Sequence, residues 1–218
     1  MAIYYALAGC ALAVVLMRHF APEVYDFTIV HMTQRWYAAV LADLELRMRG
    51  TPVTVLDVGV GTATALVRNG QAIVRSNMRF VGVDYDADYI AKAKFNVAAA
   101  GLSDRVELYC GSFFDAALLG RLLAENVDAQ QFDAAYFSGS LTLLPSPLEA
   151  LNVCRTVVKP GGLVYITQTF QKVGFPGLGY IKPLLWLFTT IDFGKVSHSS
   201  SNRATIHRAA YKHCIRVF

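Results

Sequence analysis

The stretch that most constrains this chain is Val53-Thr54-Val55-Leu56-Asp57-Val58-Gly59-Val60-Gly61-Thr62. Val53 to Val58 is an apolar, β-branched run that predicts a buried strand. It must end in a tight turn that a charged ligand can approach, because Gly59 and Gly61 carry no Cβ to block the way. A helix predicted from about Thr62 to Ser76 would turn its free NH groups toward whatever lies over the turn. Dinucleotide-binding folds use the same device, so the glycines alone do not choose a ligand. The acid before them does. Asp57 would repel a pyrophosphate, whereas it can accept hydrogen bonds from an ammonium, directly or through water.

The remaining chain alternates strand and helix signals. Apolar residues at Ile29, Met32, Trp36, Val40, Leu44 and Met48 predict an amphipathic helix from Tyr25 to about Arg49, stopped by Gly50 and Pro52. Arg79 to Asp84 is a second strand. Asp86 N-caps a helix through Ala100 that Gly101 closes. Val106 to Cys110 is a third strand, Ala116 to Glu125 a helix, and Phe132 to Phe137 a fourth strand. Pro147 opens another helix, which ends before the turn Lys159-Pro160-Gly161-Gly162, and Leu163 to Gln168 is a fifth strand. Strands alternating with helices imply an α/β fold with a doubly wound, mostly parallel sheet, and right-handed crossovers put its ligand at the carboxyl ends of the strands. Beyond Thr169, the apolar Pro176 to Ile191 reads as a core helix or a lid over a greasy substrate, Ala204 to Cys214 as a helix, and Ile215 to Phe218 as the start of a strand.

Asp84 closes the second strand, where a carboxylate can accept hydrogen bonds from both hydroxyls of a ribose. Its bland alternative is a cap on the next helix, a place Asp86 fills better. Tyr85 can lie against an adenine face.

Asp57-Val58-Gly59-Val60-Gly61-Thr62 resembles the first motif of class I S-adenosylmethionine-dependent methyltransferases. Val81-Gly82-Val83-Asp84 resembles that family's second motif, and Lys159-Pro160-Gly161-Gly162 its turn into strand five. The resemblance spans roughly Tyr25 to Thr169 and implies a Rossmann-like methyltransferase fold with S-adenosylmethionine as cofactor. It implies that Gly59, Gly61 and Thr62 border the methionine part with Asp57 beneath, and that Asp84 holds the ribose. Ser112 and Phe113 would border the adenine, Ser138 and Gly139 the reactive methyl, and Tyr25 with its helix would cover the cofactor. The chain departs from the pattern at Ala63, where the family has a third glycine, and at Ser112, where it often has an acid. The family closes with an antiparallel strand pair, expected to be incomplete in a chain that ends at Phe218.

The apolar share of 55% is high for a soluble domain, and part of it sits in Met1 to Met17, which has no charged side chain. As a helix this segment would reach roughly 25 Å, just short of a hydrocarbon core of about 30 Å. Residues 1–21 are therefore read as a membrane anchor preceding the domain 22–218, with a cleaved leader or a buried or interfacial helix as alternatives. Arg18 and His19 after the run would place the domain on the cytosolic side. The net charge of +4 is mild, and no Lys/Arg tract points to nucleic acid. Arg203, Arg208, Lys212 and Arg216 form either a solvated helix face or a patch drawn to anionic lipid headgroups. Cys10, Cys110, Cys154 and Cys214 match no zinc spacing, so no metal is expected.

These readings converge on methyl transfer to a small or lipid-like acceptor at a membrane. The alternatives are a non-catalytic binding protein of the same fold and a protein methyltransferase. No catalytic base stands out, since methyl transfer from a sulfonium gains much of its acceleration from alignment. His31, His198, His207 and His213 are the candidate bases.

Overall fold

The computed structural model describes residues 30–48, 50–126, 131–168 and 215–217. The elements are α1 (His31–Met48), β1 (Val53–Val58), α2 (Thr64–Val67), α3 (Gly70–Arg75), β2 (Met78–Asp84), α4 (Ala87–Ala99), β3 (Val106–Cys110), α5 (Ala116–Asn126), β4 (Phe132–Ser138), α6 (Pro147–Val157), β5 (Val158–Thr167) and β6 (Ile215–Val217). The expected anchor at 1–21, Tyr25, the 176–191 stretch and the 204–214 helix lie outside the described residues. Among the described residues no helix is long and apolar enough to cross a membrane.

The strands form one sheet in the order β3-β2-β1-β4-β5-β6. Every adjacent pair is parallel, as the alternating pattern predicts. The order reverses between β1 and β4, the switch point at which such sheets leave a crevice beyond their carboxyl ends. Side-chain alternation gives the sheet two faces. Val53, Val55, Ala134, Tyr136, Leu163 and Tyr165 pack toward α1 to α4. Leu56, Val58, Ala135, Phe137, Val164 and Ile166 pack toward α5 and α6. The result is three layers with the sheet buried on both sides, which is why its strands read as near-continuous apolar runs.

Local chemistry sets the helix ends. Asp86 caps α4 by accepting from the amides of Asp88 (2.9 Å) and Tyr89 (3.2 Å), as predicted. Ser146 caps α6, with Pro147 at the first helical position.

Two expectations need correction. The helix predicted over 62–76 is two short helices. The Asn69 amide between them donates to Gln34 O (3.1 Å) and Ala65 O (2.9 Å), diverting the chain toward α1. A Cβ at Gly70 would lie 2.9 Å from Leu102, so the glycine serves close packing. β5 begins at Val158 rather than Leu163: Val158 pairs with Phe132, the next pair is Leu163 with Ala134, and the glycine turn bulges out between them. Lys159 Nζ anchors that bulge on Asp133 Oδ1 at 2.7 Å. At the edge of the sheet β6 lies parallel to β5, with Ile215 opposite Val164.

Candidate cofactor site

β1 ends at the switch point, and the turn after it is fastened by its own backbone. The amides of Gly59 (2.8 Å) and Val60 (3.2 Å) both donate to Val83 O, and that of Ala63 to Val60 O (3.1 Å). Gly61 N donates to Asp84 Oδ2 at 2.9 Å. The sequence led us to expect a helix near Thr62 offering free NH groups. Instead α2 begins at Thr64 and is a single turn, and the amides of Gly59, Val60, Gly61 and Ala63 are already engaged. A cradle for phosphate needs such amides free.

The glycines are needed for different reasons. Gly59 (φ +75°) touches the loop after β4, since a Cβ there would meet Ser140 Cβ at 2.5 Å. The Ser140 hydroxyl also donates to Val58 O. Gly61 (φ +57°) faces open space, so its lack of a side chain leaves room above the turn. Ala63 has φ +54°, the left-handed conformation that makes a glycine favourable at this position.

Both carboxylates lie where the sequence predicts. Asp57 is wholly buried and Asp84 is 8% exposed. Among the described residues neither carries an ion pair. Asp84 ties two loops, accepting from Gly61 N and, at 3.1 Å, from Asp86 N. Each of its oxygens keeps a second acceptor direction. Asp57 Oδ2 accepts from the Tyr37 hydroxyl at 2.6 Å, while Oδ1 has no partner among the described residues. Burial pushes the Asp57 carboxyl up to about 7; the Tyr37 hydroxyl works against this rise and the neighbouring charge of Asp84 adds to it.

The register sets Tyr136 beside Asp57, Tyr165 beside Tyr136 and Thr167 beside Ser138. Tyr136 and Thr167 share a hydrogen bond of 2.9 Å. Ser138 Oγ and Gln168 Oε1 are buried without a partner among the described residues. Orphaned polar atoms thus gather at the carboxyl ends of β1, β4 and β5. Buried polar groups are ordinarily bonded, so three here mark a place built to meet a polar ligand.

The other expected residues divide. Tyr85 is 81% exposed beside Asp84, and its ring is free to meet a flat ligand. Thr62 stays at the turn, its hydroxyl 2.8 Å from that of Thr64. Ser112 is exposed and accepts from Phe114 N at 3.2 Å. The Phe113 ring is 3% exposed and packs edge-on against Phe137, which leaves its backbone to border a ligand. His31 is exposed at the start of α1, and the other candidate histidines lie outside the described residues. Sequence reasoning missed Tyr37, Tyr136, Ser140, Thr167 and Gln168. Tyr37 stands next to Trp36, the position that steps of three and four had selected.

A family model described as a methyltransferase domain matches residues 51–178, more than half of the chain. The chain belongs to the methyltransferase domain family. Asp57, Asp84, Ser138 and Gln168 all fall inside the matched region, and Tyr37 precedes it. No curated protein sequence matches the chain. Solved structures similar to this methyltransferase-family chain include an O-methyltransferase family protein from Burkholderia thailandensis, at 18% identity and TM-score 0.58, covering 86% of this chain and 53% of that one. A Methanococcus maripaludis protein assigned to the S-adenosyl-L-methionine-dependent methyltransferases has 17% identity and TM-score 0.58, covering 89% and 83%. A SAM-dependent methyltransferase from Geobacter sulfurreducens, in complex with S-adenosyl-L-homocysteine, has 20% identity and TM-score 0.51, covering 78% and 62%. At these identities the likeness is one of fold. The chain spans about half the length of several structures it matches, 48% to 53%.

Proposed function

We propose that this protein transfers a methyl group from S-adenosylmethionine to a small or lipid-like acceptor at a membrane. The observation that carries the cofactor assignment is the unpartnered Oδ1 of Asp57, buried under a turn whose Gly59, Val60, Gly61 and Ala63 amides are occupied. A buried carboxylate without a partner is costly and is relieved by a cation with hydrogen bonds to give. A phosphate-bearing ligand would meet two carboxylates and the occupied amides of Gly59, Val60, Gly61 and Ala63.

In this reading Asp57 Oδ1 takes the ammonium of the cofactor's methionine part, and Ser138 and Gly139 border the reactive methyl. Gly59, Gly61 and Thr62 border its backbone, and the open space over Gly61 accommodates it. Asp84 uses its remaining acceptor directions for the ribose. Tyr85 lies on the adenine, bordered by Ser112 and the Phe113 backbone. S-adenosylmethionine supplies the chemistry when bound, an electrophilic methyl on a positively charged sulfur. The protein's share is to hold and orient it and to exclude water, which suits a reaction accelerated by alignment.

The membrane part rests on the sequence. Residues 1–21 act as an anchor for the domain 22–218, which faces the cytosol, and anchoring raises the local concentration of an acceptor that partitions into the bilayer. The test is incubation of the full chain with methyl-labelled S-adenosylmethionine and fractionated membrane lipids. Labelled lipid is the expected product. Label in a water-soluble molecule alone would remove the lipid assignment, and label in neither would remove methyl transfer.

A further inference from the structure

Tyr37 comes from α1, ahead of the region that the family model matches, yet it reaches the centre of the site. Its hydroxyl meets Asp57 Oδ2 at 2.6 Å, the bond from which Oδ1 is left over. Its ring is 3% exposed and stands edge-to-face on Tyr136, with centroids 4.9 Å apart and planes at 87°. Tyr136 is in turn held by its hydrogen bond to Thr167. Ring and hydroxyl are therefore both fixed, and the tyrosine cannot swing away without breaking a packed aromatic pair.

We propose that Tyr37 is a positioning residue for the cofactor: its hydroxyl occupies Asp57 Oδ2, favours the carboxylate over the acid, and presents Oδ1 alone to the ammonium. The inference rests on the cofactor reading above and adds a residue that the motifs do not contain. A hydrogen bond donated to a carboxylate favours its charged form. The groups acting on Asp57 from the elements around it are Tyr37 on α1, Asp84 on β2 and Tyr136 on β4. Of these, Asp84 opposes the charge, and Tyr37 is the one shown donating to the carboxylate. Through Tyr37, docking of α1 thereby offsets part of the rise that burial imposes on the residue that recognises the cofactor.

The test is Tyr37→Phe, which keeps the ring and removes the donor. S-adenosylmethionine affinity is measured by isothermal titration of parent and variant from pH 6 to 8.5. The ratio of the two is read, so that the ligand's own titration near pH 8 cancels. The variant is expected to bind about tenfold more weakly at pH 6 and within about twofold of parent at pH 8.5, because alkali ionises Asp57 without help. An unchanged affinity, or the same loss at every pH, would overturn the proposal, since a cover that only packs is indifferent to protonation. A second measurement needs no cofactor: the carbon-13 titration of the Asp57 carboxyl, assigned with Asp57→Asn. Its midpoint should rise by about one pH unit in Tyr37→Phe. An unmoved midpoint refutes the role of Tyr37 even where binding is intact. A raised midpoint in a protein that binds no S-adenosylmethionine upholds the hydrogen bond and refutes the cofactor reading instead.

Discussion

The two faces of the sheet have the same pleat and opposite chemistry at their carboxyl ends. On the side of α5 and α6, Val58, Phe137 and Ile166 continue the apolar pattern to the last residue and close over Phe113 and Leu141. On the side of α1, Val55, Ala134 and Leu163 give way to Asp57, Tyr136, Ser138, Tyr165 and Thr167. One face spends its strand ends on packing. The other places a carboxylate, hydroxyls and an unpartnered oxygen in the interior, at a cost in folding free energy that a ligand can recover.

The comparison breaks first on Phe137. Phe137→Ala should cost about 3–5 kcal/mol of stability, because the ring is fully buried and its neighbours collapse only in part. Denaturant unfolding checks this, and a loss under about 1 kcal/mol would mean the apolar face is not the structural one. Asp57→Asn should act in the opposite direction. The Asp57 carboxyl ionises near 7 when folded and near 3.8 as a free side chain. Between those values the folded state holds a proton that the unfolded state does not. The group's contribution is thus fully present in acid and lost as pH rises through about 7. The Asn variant should therefore gain on the order of 4 kcal/mol over parent at pH 8 and nothing at pH 3. Equal gains at both values would sever the link between charge and cost. The smallest effect is expected at the turn. Ala63→Gly relieves a left-handed residue and loosens the unfolded chain, for a net gain of about 0.5 kcal/mol seen as a rise of 1–2 °C in melting temperature.

The framework was legible because it follows from periodicity and turn residues. β1 and β3 fall on the predicted residues, and Asp86 and Pro147 mark their helices where local chemistry requires. What escaped depends on contacts distant in sequence. Trp36 and Tyr37 are both apolar enough to face a core, and spacing cannot rank neighbours. The buried face of α1 runs through Tyr37, Val40, Leu41 and Leu44, which keeps Val40 and Leu44 of the predicted stripe and puts Tyr37 in place of Trp36. The break between α2 and α3 depends on Asn69 reaching back to α1, and the bulge in β5 on Lys159 meeting Asp133. Asp57 and Asp84 were visible as acids beside glycines. That Asp84 occupies the Gly61 amide, changing what the turn can bind, required the fold.

The most direct measurement is the affinity of S-adenosylmethionine for parent, Asp57→Ala and Asp84→Ala at pH 7.5, with folding checked by circular dichroism. The account predicts binding by the parent and a loss of at least about a hundredfold in each variant, the scale of a broken buried charge interaction. Folded variants that hold the cofactor as tightly as the parent would contradict it.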